Sequence, residues 1–217
     1  MNATSPAAYS GLRIAKASDS QPKGDPGTNS SGLDWGEIKQ GQEFTFFLMY
    51  AELDRYLQLK DRQADSQVSK LISVYRTYLE SEVSPAGGRL WIWNEPGGLF
   101  LFPYDGESYQ PVVTCIRLML NKKIFNVEMI GSTIFYSYRI ALHAGKTVFR
   151  RRGDTEQIVS EAVNYIYHMG QRFTEKGNLC ITEDAARVLP RSLQEVFLPV
   201  GSFEGKKILK FNLPRNL

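Results

Sequence analysis

The segment "GGRLWIWNEPGGLFLFP", residues 87–103, contains two apolar runs of strand character joined by Asn-Glu-Pro-Gly-Gly. Residues 90–93 and 99–102 therefore predict the two strands of a β-hairpin, with Pro96 at its tip. A hairpin tip between buried strands is a common place for an enzyme to hold a metal-binding carboxylate. A proline cannot supply one, so the segment raises the question of whether a catalytic site is present.

The composition predicts one folded domain. The chain has 217 residues, of which 42% are hydrophobic and 12% aromatic, enough for one sizeable core. Its 26 Lys and Arg residues against 23 acidic residues leave a net charge of +3. This excess is too small and too dispersed to indicate nucleic-acid binding or an anionic membrane surface.

The remaining bulk features predict a cytoplasmic protein. No run reaches the roughly 18 apolar residues of a membrane span, and the N-terminus lacks a signal-peptide pattern. Cys115 and Cys180 lie in separate apolar stretches, which favours buried reduced thiols over a disulfide. With only His143 and His168 in the chain, a zinc cluster is not expected.

The chain divides into a tail and a domain. Residues 1–42 are rich in Ser, Gly and Pro and show no periodicity, so they predict a disordered or flexible N-terminal tail. Leu33, Trp35 and Ile38 are candidates for a short docking segment within it. Residues 43–217 form the predicted domain.

Within the domain the patterns alternate between strand and helix. "EFTFFLMYA", residues 43–51, is apolar nearly throughout, as expected for a central strand covered on both faces. The further predicted elements are helices at 53–62, 66–83, 108–124 and 154–173, two strands around Ala144-Gly145, a strand at 178–182, a helix that Thr182 caps, and a strand at 207–213. The order βααββαββαβ predicts an α+β fold, a ferredoxin-like antiparallel-rich sheet with helices packed on it and a C-terminal extension.

Several short motifs, in this order and spacing, resemble the catalytic domain of the class III adenylate and guanylate cyclases over about residues 44–211. They are "AEL" at the end of the first strand, Gly87-Gly88 after the long helix, the hairpin, "RIALHAG" at 139–145, Val163-Asn164, and the closing "GSFEGKKILKF". A diguanylate cyclase is a competing resemblance, through "ELDRYLQLKD" and "GGLFLF". The ungapped 44-residue step from Glu52 to Pro96 favours the class III pattern.

The class III resemblance implies a cyclisation in which two divalent metals, held between two carboxylates, activate the 3′-hydroxyl of a nucleoside triphosphate. It assigns Glu52 to the first metal ligand, Pro96 to the second, Ile92 and Gln157 to the base contacts, and Asn164 and His168 to the transition-state positions. Ile92 replaces a lysine, and His168 replaces an arginine by a shorter group that is mostly neutral at pH 7. The resemblance thus implies a site degenerate at its metal and transition-state positions.

Other interpretations of these residues stay open. Glu52 alternatively caps the following helix, and Asp54 serves either as a substitute ligand or as a helix-start carboxylate. Strand alternation predicts that Glu95 points away from Glu52 unless the tip rearranges, and that Trp91 and Trp93 share one strand face. Asn164 and His168 alternatively form hydrogen bonds at the sheet edge or at a subunit contact.

The leading hypothesis is a catalytically degenerate cyclase-homology domain that acts as a regulatory, ligand-binding or dimerisation module in cyclic-nucleotide-type signalling. The alternative is an active cyclase, in the simplest case one half of a heterodimer, that converts a nucleoside triphosphate into cyclic nucleotide and pyrophosphate. A third reading is an interaction protein without a ligand pocket. No cofactor is expected, and Mg²⁺ or Mn²⁺ only if nucleotide binding persists.

The resemblance also implies association. Class III domains pair head to tail, so that the hairpin tip of one subunit faces the helix carrying Asn164 of the other. The expected partner is a second copy or a related cyclase domain. A nucleotide is a further candidate ligand, whereas nucleic acid is not expected.

Overall fold

A computed structural model describes residues 33–130, 135–150 and 160–212. In these ranges the strands are β1 (Glu43–Leu53), β2 (Arg89–Asn94), β3 (Gly97–Pro103), β4 (Tyr138–Val148), β5 (Leu179–Thr182), β6 (Phe197–Phe203) and β7 (Lys206–Phe211). The helices are α1 (Tyr56–Arg62), α2 (Asp65–Val83), α3 (Gln110–Leu120), α4 (Lys122–Ile124), α5 (Glu161–His168), α6 (Glu183–Ala186) and α7 (Arg191–Gln194), with π-helical segments at Phe125–Ile130 and Met169–Phe173 and a 3₁₀ turn at Ser84–Ala86. None of the helices described is long and apolar enough to cross a membrane.

The strands form one mixed sheet in the order β2-β3-β1-β4-β5-β7-β6. The β4–β5 pair is parallel, and every other described pair is antiparallel. The predicted α+β class, an antiparallel-rich sheet with helices packed on it, is confirmed. The edge strand β6 was missed, because Pro199 and Gly201 interrupt its pattern. Both residues are tolerated at an edge, where the pairing register shifts between them.

Both faces of β1 are buried, as its continuous apolar run predicts. Every second side chain of β1, including Phe47 and Met49, packs against α2 and α3 on one face of the sheet, called here the α2 face. The side chains between them, such as Leu48, pack against α5 on the other, the α5 face. The predicted stripe of α2 is confirmed by its buried residues: Val68, Leu71, Ile72, Tyr75, Tyr78, Leu79 and Val83.

Residues 138–148 form one strand, and the prediction of two strands around Ala144-Gly145 is wrong. β4 pairs with β1 without interruption from Tyr138 to Val148. Gly145 does not mark a turn. A Cβ there would lie 2.8 Å from Ala162 Cβ, so the glycine lets α5 approach the sheet closely.

Trp91 and Trp93 lie on opposite faces of the sheet, contrary to the prediction. The β2–β3 register shifts between Leu90 and Ile92, and this bulge reverses the alternation. Trp91 is buried on the α5 face, and its indole donates a hydrogen bond to the Arg150 carbonyl oxygen (2.6 Å). Trp93 is partly buried and packs against the core on the α2 face.

The chain packs against the sheet before residue 43. The Trp35 ring lies 6.1 Å from the ring of Phe46 and 5.7 Å from that of Phe149, centroid to centroid. Its indole nitrogen donates to the Gly87 carbonyl oxygen (2.6 Å), and the Arg89 guanidinium lies 4.4 Å from the ring centroid. Residues 33–42, assigned to the tail from sequence, thus include a segment that docks on the α5 face. Residues 1–32 of the predicted tail lie outside the described residues.

Two further predictions can be compared with the structure. α5 and the π-helical segment after it cover residues 161–173 of the helix predicted at 154–173, and its start lies outside the described residues. Cys115 and Cys180 are both buried and free, as predicted.

Candidate functional site

A cavity of about 560 Å³ opens beside the hairpin tip. Its walls come from the end of β1, the start of α1, the tip and β4, and they include Glu52, Tyr56, Glu95, Pro96 and Arg139. The two positions that the resemblance assigns to metal ligands, Glu52 and Pro96, therefore do meet at one cavity.

The close approach of β3 to β1 shapes the tip. Gly97 pairs with Glu52, and a Cβ on Gly97 would lie 2.8 Å from the Glu52 Cα, so a larger residue would push the strands apart. Glu95 and Pro96 form the turn itself and escape the alternation of β2. For this reason Glu95 lines the same cavity as Glu52, and the prediction that it points away is wrong. Its carboxylate accepts a hydrogen bond from Tyr56 Oη (3.1 Å).

Both oxygens of Glu52 are engaged by neighbouring side chains. Arg139 Nη2 donates to Oε1 at 3.0 Å, and the Tyr50 hydroxyl donates to Oε2. The exposed fractions of the Glu52 and Arg139 side chains are 15% and 13%. The structure therefore shows Glu52 as a partner in an ion pair and not as a cap of α1, which has no side-chain cap.

Asp54 belongs to the same group of charges. Its Oδ1 is 3.4 Å from Arg139 Nε, within ion-pair distance although not aligned as a hydrogen bond, and its Oδ2 accepts from the Gly177 amide (2.8 Å). Burial raises the pKa of Asp54, while Arg139 and the Gly177 amide oppose that rise. Lys122 donates to the Gly177 carbonyl oxygen (2.6 Å), and burial lowers its pKa to about 8. Asp54 thus belongs to a buried network with Arg139 and the Gly177 amide. It is not at the start of α1, which begins at Tyr56, and it does not line the cavity beside the tip.

The side chains at this cavity do not fit the metal site that the class III resemblance implies. Pro96 has no side-chain oxygen, both oxygens of Glu52 are already bonded, and the Glu95 carboxylate is bonded to Tyr56. Across residues 33–130, 135–150 and 160–212, no three His, Cys, Asp or Glu side chains are grouped as metal ligands would be. Mg²⁺ and Mn²⁺ bind through several carboxylate and water oxygens, a set that this cavity does not offer.

The transition-state positions lie away from the cavity, on α5. Asn164 is exposed. His168 Nδ1 is 3.1 Å from Glu204 Oε1, at the turn between β6 and β7. The interpretation of His168 as a hydrogen-bonding residue at the sheet edge agrees with this contact.

Of the two base-contact positions, only Ile92 lies in the part of the chain that the structure describes. Ile92 is partly buried and packs into the core of the α5 face, where its side chain presents no polar group. Gln157 lies outside the described residues. A lysine-like contact to a base therefore has no counterpart at Ile92.

Sequence analysis missed Arg139 as a site residue. It is the first residue of "RIALHAG" and pairs directly with Glu52 across β1 and β4. The sequence does show an arginine in a predicted strand. To infer that this arginine lies beside Glu52, however, one must know that the strand pairs with β1 and in which register.

The chain was compared with known proteins. No family model matches it, and no curated protein sequence matches it. Solved structures of cyclase domains do match. The guanylyl cyclase Cya2 has a TM-score of 0.66 and 16% identity over 82% of this chain and 98% of that chain. The adenylyl cyclase CyaB from P. aeruginosa has a TM-score of 0.63 and 14% identity over 81% and 97%, respectively.

A third match is the guanylyl cyclase domain of the RhoGC fusion protein from the aquatic fungus Blastocladiella emersonii. Its dimeric structure has a TM-score of 0.63 and 12% identity over 80% of this chain and 97% of that chain, and a monomeric structure of that domain also matches. At these identities the likeness concerns the fold. The chain has the catalytic-domain fold of the class III adenylyl and guanylyl cyclases.

Proposed function

We propose that this domain is a catalytically degenerate member of the class III cyclase fold and acts as a regulatory module through dimerisation or ligand binding in cyclic-nucleotide-type signalling. The observation that carries the proposal is the state of the two metal positions. Pro96 offers no ligand, and Glu52 is bonded to Arg139 and Tyr50. Without carboxylates free to hold divalent metals, the site has no group to activate the 3′-hydroxyl of a nucleoside triphosphate or to balance the charge of its phosphates. We propose no resident cofactor, and we place the protein in the cytoplasm.

Association is the proposed activity because a fold can keep its pairing surfaces after its chemistry is lost. The B. emersonii domain with this fold has been solved as a non-canonical dimer and also as a monomer, so this fold associates in at least one relative, although not in the usual arrangement. In the present chain the hairpin tip and α5, the two surfaces that meet in head-to-tail pairing, are both formed. The partner is a second copy or a related cyclase domain.

A cyclase assay tests the loss of catalysis. Purified protein is incubated with ATP or GTP and with Mg²⁺ or Mn²⁺, and we expect no measurable cyclic nucleotide. Pro96→Asp alone should not create an efficient enzyme, since Ile92 and His168 remain unsuited to base and phosphate contacts. Robust turnover by the wild type that disappears in Glu52→Ala would overturn the proposal.

The second candidate is one half of an active heterodimer. The exposed Asn164 favours it, because this amide is free of the core and would face a partner's site in head-to-tail pairing. The same assay is repeated with a related cyclase domain added. Turnover that requires both chains and falls in Asn164→Ala would establish this function. Titration calorimetry with ATP, GTP and cyclic nucleotides then separates a ligand-binding module from one that only associates.

A further inference from the structure

We propose that Arg139 is the built-in cation of this cleft: its guanidinium neutralises Glu52 and Asp54, fastens residues 171–177 to the end of β1, and leaves no place for a divalent metal ion. The inference deepens the proposed loss of catalysis and rests on it. It adds a structural role for Glu52 and Asp54, which would otherwise be interpreted as remnants of a lost metal site.

The first argument is the use of the guanidinium. Its Nη2 donates to Glu52, its Nε faces Asp54, and its Nη1 lies 3.4 Å and 3.3 Å from the carbonyl oxygens of Gln171 and Thr174. Nη1 and Nη2 are therefore hydrogen-bonded to the protein, and Nε lies within ion-pair distance of Asp54. Because Arg139 is also the direct cross-strand neighbour of Glu52, the pairing of β1 with β4 fixes this arrangement.

The second argument is burial and charge. The exposed fraction of the Asp54 side chain is 3%, and those of Glu52 and Arg139 are 15% and 13%. Buried carboxylates are retained only where cations and hydrogen bonds compensate them. The Arg139 guanidinium stands 3.0 Å from Glu52 and 3.4 Å from Asp54, and so supplies the compensating positive charge to both carboxylates. A divalent cation bound between these carboxylates would have to displace the guanidinium.

The third argument is what the network connects. Residues 171–177 comprise the last part of the π-helical segment Met169–Phe173 and most of the connection to β5. Arg139 contacts their carbonyl oxygens at Gln171 and Thr174, Asp54 accepts from the Gly177 amide, and Lys122 donates to the Gly177 carbonyl. These residues are therefore held to the end of β1 through Asp54, which the sequence offered as a substitute metal ligand, and through Arg139, the ion-pair partner of Glu52.

The first experiment is a titration of the protein with Mn²⁺ alone. Electron paramagnetic resonance measures the concentration of free Mn²⁺, and the melting temperature (Tm) of the protein is recorded at each Mn²⁺ concentration. We expect no binding to the wild type up to millimolar Mn²⁺ and an unchanged Tm. A ligand present at 100 times its Kd would raise the Tm by several degrees. Glu95→Gln is the matched control, since this carboxylate lines the same cavity but lies outside the network.

Arg139→Met tests the exclusion directly. It should lower the Tm, and Mn²⁺ should now bind and recover part of the loss. A folded variant that gains no Mn²⁺ binding would show that Arg139 is not what excludes the ion. Micromolar Mn²⁺ binding by the wild type that is lost in Glu52→Gln and kept in Glu95→Gln would also overturn the inference.

Amide hydrogen exchange tests the fastening and does not require Arg139→Met to fold. Glu52→Gln and Asp54→Asn should each speed exchange in residues 171–177 at least tenfold, whereas Glu95→Gln should not. Unchanged exchange in both variants would refute the structural role. If the wild type binds Mn²⁺ but has no cyclase activity, this inference is wrong and the proposed loss of catalysis stands. If the wild type turns over nucleotide without binding Mn²⁺ at Glu52, the proposed loss of catalysis is wrong and this inference stands.

Discussion

At the scale of single residues, His143 shows how a motif residue serves packing. It lies in "RIALHAG" but is buried, with its ring 4.8 Å from that of Tyr165 and its Nδ1 3.1 Å from Thr182 Oγ1. Burial, with a smaller contribution from Lys206, lowers the pKa of His143 from 6.5 to about 4. The folded protein therefore holds this imidazole in its neutral form.

This shift predicts a loss of stability in mild acid. The folded pKa lies below the unfolded one, so the contribution of His143 is fully present above pH 6.5 and is lost as the pH falls toward 4. Between pH 7 and pH 5 the free energy of unfolding should drop by about 2 kcal/mol from this group. Urea unfolding of the wild type and of His143→Gln at both pH values measures it. An equal drop in the variant would contradict the assignment.

At the scale of elements, the segment at residues 33–42 acts as part of the domain. Trp35 bridges β1 and the start of the hairpin through ring contacts, its hydrogen bond to Gly87 and the Arg89 guanidinium above it. An aromatic side chain held on this many sides contributes apolar burial that a solvated tail would not.

The effect of truncation on stability should therefore depend on whether residues 33–42 are removed. We expect removal of residues 1–32 to change stability by well under ~1 kcal/mol, the scale of ordinary surface changes. Removal of residues 1–42, or Trp35→Ala, should lower the free energy of unfolding by about 1–3 kcal/mol, less than for a fully buried Trp. Chemical denaturation of the three proteins, with Lys39→Ala as an exposed control, gives the comparison. Equal stability of the two truncations would show that the segment contributes nothing.

At the scale of the whole molecule, the proposed association concerns the cavity at the hairpin tip. Leu57 lines this cavity and is 75% exposed, which leaves a large apolar side chain at the place where head-to-tail pairing would put a partner. Trp93 is unsuitable as a probe of that surface, because it packs on the α2 face near Tyr75 and Arg76.

We predict a homodimer, or a heterodimer with a related domain, that Leu57→Glu weakens roughly tenfold, about 1.4 kcal/mol. Val127→Glu is the matched control, because Val127 is 74% exposed and does not line this cavity. Sedimentation velocity measures the dissociation constants, and circular dichroism verifies folding. A wild type that sediments as a monomer at high micromolar concentration would exclude the homodimer. Equal effects of the two variants would place the interface elsewhere.

The sequence by itself determined the features that depend on local pattern. The helical stripe of α2, the doubly covered β1 and the two strands of the hairpin follow from residue periodicity, which acts over a few positions. The motif spacing also placed Glu52 and Pro96 at one site, and both line the cavity. A proline's lack of a side-chain oxygen can be read without any structure.

Only the tertiary structure decided what the remaining carboxylates do. Arg139 is 87 residues from Glu52 along the chain, and the register of β1 against β4 makes them direct neighbours. The wrong prediction for Trp91 and Trp93 has the same cause. A single bulge in β2 places the two side chains on opposite faces of the sheet, whereas strict alternation assigns them to one face. Pairing register depends on contacts between distant segments, and a slip of one residue sends every side chain to the other face. Local periodicity therefore identifies most of the strands, and long-range pairing determines which charges meet.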